Sequence, residues 1–65
     1  SIRERILCYF EILGRQNNSK TFELPFTKSD MADYLSVDRS AMSRELQKMR
    51  KDKLIEVSKR KITLL

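Results

Sequence analysis

Thr27-Lys28-Ser29-Asp30-Met31-Ala32-Asp33-Tyr34-Leu35-Ser36-Val37-Asp38-Arg39-Ser40-Ala41-Met42-Ser43-Arg44-Glu45-Leu46 holds two helix starts in quick succession. Thr27 followed by Asp30 sets a hydroxyl and an acid at the spacing of a capping box, with Asp in place of the usual Glu or Gln. The helix opened there carries Met31, Ala32, Tyr34 and Leu35 and stops near Ser36-Val37, so it has room for only about two turns. Asp38 is a good N-cap for a second helix, whose apolar residues Met42, Leu46 and Met49 follow the i, i+4, i+7 rule. That helix ends around Lys51-Asp52-Lys53. Two helices joined this tightly meet at a steep angle, which requires small or apolar residues near the turn; Ala32 fits.

Towards the N-terminus, Ile2, Ile6, Leu7, Phe10 and Leu13 form a helical stripe over residues 2–15, with Gly14 as its expected stop and residues 15–20 as a polar loop. Thr21-Phe22-Glu23-Leu24 alternates and ends at Pro25, the pattern of a short edge strand. Towards the C-terminus, Leu54-Ile55-Glu56-Val57 and Lys61-Ile62-Thr63-Leu64 form two further strands joined by Ser58-Lys59-Arg60, a turn without glycine. This order predicts an α+β winged helix-turn-helix: three helices, a short edge strand and a C-terminal β-hairpin wing. Residues 1–65 make one domain, with the helix-turn-helix at about 28–51 and the wing at about 54–65. There is no repeat, low-complexity tract or interdomain linker.

Composition narrows the function. The 65 residues include 14 Lys and Arg against 9 Asp and Glu, a formal charge of +5, with no His, one Cys and one Gly. Such a chain has no Cys/His metal cluster, no Ser-His-Asp or Cys-His arrangement and no glycine-rich phosphate cradle, so the expectation is a non-enzyme without a cofactor. One Cys forms no intrachain disulfide. Apolar runs of at most five residues, Ile6 to Phe10, fall far short of the ~18 that span a membrane, and residues 1–7 are unlike a signal peptide. The expected setting is the cytoplasm, with Cys8 a reduced thiol. Residues 1–26 have four cations against three acids, whereas residues 27–65 have ten against six. An excess gathered in one half points to a polyanionic partner.

A helical wheel shows which side of the second helix could meet that partner. With Met42 at 0°, Leu46 falls at ~40° and Met49 at ~340°, while Gln47, Ser40, Lys51 and Arg44 fall between ~140° and ~200°. Arg39 and Ser43 flank this outward face at its N-terminal end. Arg donates a bidentate pair to guanine O6 and N7, Gln pairs with adenine, and Ser contacts several bases. Arg39, Ser40, Ser43, Arg44 and Gln47 are therefore the candidate base readers, with Arg39 and Arg44 foremost. Candidate phosphate contacts are Thr27 and Lys28 at the start of the preceding helix, the helix start at Asp38, Lys48 and Lys51, and the turn Lys59-Arg60-Lys61. For Lys48, Arg50 and Lys51, a solvated face is as good a reading as a contact.

The stretch Phe26 to Leu46 resembles the helix-turn-helix of the Crp/Fnr family of bacterial transcription regulators, and Leu54-Ile55-Glu56 with the next strand resembles its wing. In that family a Thr or similar residue caps the first helix, and the recognition helix follows a pattern like Ser/Asp-Arg-Glu-x-x-Ser/Gly-Arg, matched here by Asp38 to Arg44. The resemblance assigns base reading to Arg39, Ser40, Ser43 and Arg44 and phosphate contacts to Lys28 and Asp38. Ser40 stands where many members have Glu, an acceptor for cytosine N4, so the usual half-site preference does not carry over. Ser36 stands where Gly often allows a left-handed turn. The resemblance covers about residues 20–65, and residues 1–15 suit the preceding helix. It implies double-stranded DNA with a palindromic operator as the partner, a homodimer in the full-length regulator, and RNA polymerase as a further contact. It also implies an effector-sensing β-barrel and a dimerisation helix beyond these residues, so the chain is expected to be a detached C-terminal DNA-binding domain, monomeric by itself.

The alternative from another class is a winged-helix protein-interaction module without base-specific reading. The polar, basic face of the 39–51 helix lacks the aromatic anchors such a surface uses. RNA binding would need stacking aromatics on a sheet. Met31, Met42 and Met49 read as core filler, and Tyr9 and Tyr34 as packing residues with a wet hydroxyl. Cys8, beside Leu7, reads as a small buried side chain. Asp30 and Asp33 read as helix-start charges.

Overall fold

Every helix of the chain is opened by a side chain and closed by a backbone turn, and these caps fix where the elements lie. The computed structural model describes residues 1–25 and 27–65; Phe26, the first residue of the stretch that carries the resemblance, lies outside the described residues. Helix α1 spans Ile2–Asn17, α2 Lys28–Leu35 and α3 Arg39–Lys51. Ser1 opens α1 with a full capping box shared with Glu4. Thr27 Oγ1 accepts from the Asp30 N–H at 3.2 Å, the forward half of the box expected there. Asp38 Oδ2 accepts from the Ala41 N–H at 3.0 Å.

All three helices close with paired 6→1 and 5→2 hydrogen bonds, the Schellman arrangement. Ser19 and Asn18 donate to the carbonyls of Gly14 and Arg15, Val37 and Ser36 to those of Ala32 and Asp33, and Leu54 and Lys53 to those of Met49 and Arg50. The left-handed residues are Asn18, Ser36 and Lys53, with φ of 51°, 58° and 61°; none is glycine. This corrects the expected stop at Gly14 and the expected loop at 15–20, since residues 15–17 are helical. Gly14 instead lies where the chain folds back. A Cβ there would approach the Ser19 carbonyl oxygen to 3.1 Å.

Strands β1 (Thr21–Glu23), β2 (Ile55–Ser58) and β3 (Lys61–Leu64) form one antiparallel sheet in the order β1-β3-β2. Phe22 and Val57 both pair with Ile62, on opposite sides of β3. β1 is an edge strand, as its length and following proline predict. The hairpin turn narrows to Lys59-Arg60, with Lys59 at φ 55°. β2 begins one residue later than expected because the Leu54 N–H is used in closing α3.

The core is filled by Ile6, Phe10 and Leu13 of α1, Met31 and Ala32 of α2, Met42, Leu46 and Met49 of α3, and Phe22, Ile55 and Ile62 of the sheet. The three methionines are fully buried, as their spacing predicts. Phe10 and Phe22 tie α1 to the sheet with ring centroids 5.6 Å apart. Cys8 corrects the reading of a buried thiol: it is exposed. With Ile6 at 0°, Cys8 stands at ~200°, opposite the core. Tyr9 is buried and its ring lies 5.4 Å from that of Tyr34, which is largely exposed; burial raises the Tyr9 hydroxyl above the usual tyrosine range.

Candidate nucleic-acid interface

The outward face of α3 is built by the same periodicity that buries its other side. Met42, Leu46 and Met49 are buried, while Ser40, Arg44, Gln47, Lys48 and Lys51 are exposed, and Ser43 sits half-buried at the margin. Arg39 is exposed in the first turn, beside the Asp38 cap. The wheel thus predicted the division of the helix correctly. Asp38 satisfies the Ala41 amide and leaves other first-turn amides facing outward, the usual anion-friendly end of a helix.

Other candidates come from three further places. Lys28, the first residue of α2, shares a cleft of about 120 Å³ with Ser43, Gln47 and Arg50 of α3 and Val57 of the wing. Thr27 is exposed beside it, its oxygen engaged as the α2 cap. Next to that cleft, Gln47, Arg50 and Lys51 line an open groove with Glu56 and Val57. Lys59, Arg60 and Lys61 meet Ser58 and Glu23 at the hairpin tip. Arg60 donates from Nη2 to the Leu24 carbonyl at 2.9 Å, and its own carbonyl accepts from the Leu24 N–H at 2.9 Å. Its guanidinium is therefore partly committed to joining the hairpin to β1. Arg39, Ser40 and Arg44 stand apart from these hollows, on the exposed ridge of α3.

Charge pairing separates this surface from the rest of the molecule. Among the described residues, the side-chain cations in salt bridges are Arg3, with Glu45 at 2.6 Å and Asp52 at 3.1 Å, and Arg15, with Glu11 at 3.9 Å. Glu45 and Asp52 are the only acids between residues 39 and 53, and both are held by α1. Among the described residues, Arg39, Arg44, Lys48 and Lys51 are left exposed without an ion-pair partner. So are Lys28, Lys59 and Lys61. Within residues 39–53 both acids are turned to α1, which leaves the outward face of α3 positive.

Arg50, weighed in the sequence between a solvated face and a contact and left out of the candidate sites, lines both hollows beside the wing. Its ~80° position on the wheel, between core and outward face, was the available signal. Reasoning from the sequence did not single out Arg3 and Arg5. Arg5 Nη1 lies 3.4 Å from the Leu35 carbonyl oxygen and 3.5 Å from that of Ser36, over the C-terminal end of α2. No local pattern signals partners thirty to fifty residues away.

No helix among the described residues is long and apolar enough to cross a membrane, and no group of three His, Cys, Asp or Glu among them could hold a metal ion. Comparison with known families matches residues 4–65 to the Crp-like helix-turn-helix domain. Among curated proteins, the chain is similar to the transcriptional activator protein FnrL of Cereibacter sphaeroides, 32% identical over 62 residues, covering 82% of this chain and 25% of that protein. The chain thus spans about a quarter of the length of this relative. With cap, turn, outward helix and wing in place and the family model matching almost end to end, the chain belongs to the Crp-like helix-turn-helix family, non-enzymatic DNA-binding domains of transcription regulators.

Proposed function

We propose that this domain binds double-stranded DNA sequence-specifically, with α3 in the major groove. The observation that carries this reading is the exposed, unpaired cationic face of α3, set opposite a fully buried apolar face on the same helix. Arg39, Ser40, Ser43, Arg44 and Gln47 read base edges, Arg39 and Arg44 by bidentate pairing with guanine. Lys28, Lys48, Lys51, Lys59, Lys61 and the free part of Arg60 contact phosphates. Thr27 and Asp38 help by presenting capped helix starts to the backbone. These contacts fix register on the duplex, and the α3 side chains supply the sequence preference.

Residues 1–65 serve as one winged helix-turn-helix unit of a longer cytoplasmic regulator whose sensing and dimerising parts lie elsewhere in its chain. As a homodimer, the regulator reads a palindrome whose half-sites lie about one helical turn, ~34 Å, apart. The relative's name, a transcriptional activator, extends the proposal to activation, and the family resemblance adds RNA polymerase as a further contact. The isolated domain binds weakly, because one module makes few phosphate contacts and lacks avidity.

The test is selection from a randomised duplex pool by the domain fused to a dimerising coiled coil, repeated with Arg39→Ala and Arg44→Ala. The expected result is an inverted repeat whose bases change with those substitutions. No enrichment, at a salt concentration low enough for nonspecific binding, overturns the reading. Log affinity should also fall linearly with log salt, with a slope of about −0.9 per phosphate contacted.

A further inference from the structure

We propose that Arg3 of α1 is a positioning residue for DNA reading: it fixes the rotation of α3 by holding Glu45 and Asp52 together. This rests on the function proposed above. Arg3 Nε donates to Glu45 Oε2 at 2.6 Å, and Nη2 donates to Asp52 Oδ2 at 3.1 Å. The two acids are seven residues apart, two turns of helix, so they share one stripe of α3 and its C-cap at ~280–300° on the wheel that places Met42 at 0°. The reading residues occupy ~60–200°. The clamp therefore grips α3 on its flank and leaves the outward face clear.

A grip at two points along a helix resists rotation about its axis, whereas a buried face made mostly of flexible methionine, Met42 and Met49 beside Leu46, does so only loosely. A 20° rotation would move an atom about 6 Å from the axis by about 2 Å, enough to break a hydrogen bond to a base edge. The fork of a guanidinium can meet two carboxylates at once with fixed geometry; an ammonium offers a single point of charge. Arg3 is 34% exposed, Glu45 19% and Asp52 53%, and ion pairs this open to water add only modest net stability. The clamp's effect therefore lies in the pose of the helix more than in the stability of the fold. It also neutralises both acids of the recognition segment.

The experiment measures the affinity of the 65-residue chain, at low salt, for a duplex carrying the selected site and for a scrambled duplex. The unmodified chain is compared with Arg3→Gln, Arg3→Lys and the double variant Glu45→Gln/Asp52→Asn, each well below its melting temperature. Arg3→Gln should lower the selected-to-scrambled affinity ratio by about tenfold and shift the backbone amide resonances of residues 40–47. Arg3→Lys should fall between. The double variant should bind the scrambled duplex more tightly, having lost two negative charges, yet show a lower ratio. A ratio unchanged by Arg3→Gln, or a double variant that tightens on both duplexes equally, overturns the proposal while leaving the DNA-binding function intact. An unmodified chain that prefers neither duplex overturns that function and the proposal with it.

Discussion

The arginines of α1 and those of α3 are the same side chain put to opposite uses. On α1, Arg3 closes on two carboxylates, Arg5 overhangs the end of α2, and Arg15 faces Glu11 one turn away. On α3, Arg39 and Arg44 meet no acid and face solvent. Neighbourhood, not residue type or net charge, decides which cations are spent inside the molecule and which remain available to a polyanion. A formal charge of +5 therefore understates the asymmetry, because the inward-turned cations shield the acids that would otherwise weaken the outward ones.

The comparison concerns surfaces and predicts no difference in the core. Phe10→Ala on α1 and Met42→Ala on α3 should be equally damaging, at roughly 3–5 and 2–5 kcal/mol. In a domain this small either loss approaches the whole stability, and thermal or urea melts should lose their cooperative transition. On the surfaces the helices should part. Arg44→Ala should cost ~1–3 kcal/mol of DNA binding and relax preference at one base pair, with melting unchanged. A preference profile that stays the same would show that the exposed face of α3 does not read sequence. Lys51→Ala should weaken all duplexes alike and lower the salt slope by about one. Arg15→Ala, on the other helix, should leave binding and salt slope untouched.

Helix starts were legible in the sequence because a cap is a local chemical event. Thr27 and Asp38 carry the oxygen that the amide three residues on requires, and both accept it. The division of α3 into core and outward face was legible for a similar reason, periodicity alone. The ends of α2 and α3 fall where expected, whereas α1 runs past its glycine to a closing turn at Asn18, a residue that gives a weaker sign of a stop than glycine. Cys8 was misjudged from its neighbour Leu7, although residues adjacent in sequence stand 100° apart on a helix. The Arg3 clamp had no local trace, because its partners lie 42 and 49 residues along the chain. Which outward side chains touch bases is set by the docked duplex, and the chain by itself records only which are free to do so.

Two smaller effects sharpen the account of the helix ends. Lys53→Gly and Ser36→Gly relieve a left-handed backbone that costs an ordinary residue about 1–2 kcal/mol, offset by roughly 0.5–1 kcal/mol of added freedom in the unfolded chain. Each should raise stability by up to about 1 kcal/mol in a denaturant melt, and a decrease would show that the native side chain contributes something beyond its cap. At the start of α1, the hydrogen bond from the Ser1 hydroxyl holds the Glu4 carboxyl below the usual carboxylate range. Its contribution is complete above the unfolded-state value and is lost as pH falls through the lowered one. Amide exchange in the first turn of α1 should therefore quicken over that acidic interval.

The sheet has a consequence for how the chain comes into being. β1 and β2 touch only through β3, so Thr21, synthesised early, waits for Thr63, which it meets by a 3.1 Å hydrogen bond between their hydroxyls. During synthesis the three helices can form and gather, but neither outer strand has a partner until β3 has left the ribosome. Nascent chains stalled with residues 61–65 still inside the exit tunnel should remain protease-sensitive, and release of those few residues should make the domain resistant in one step.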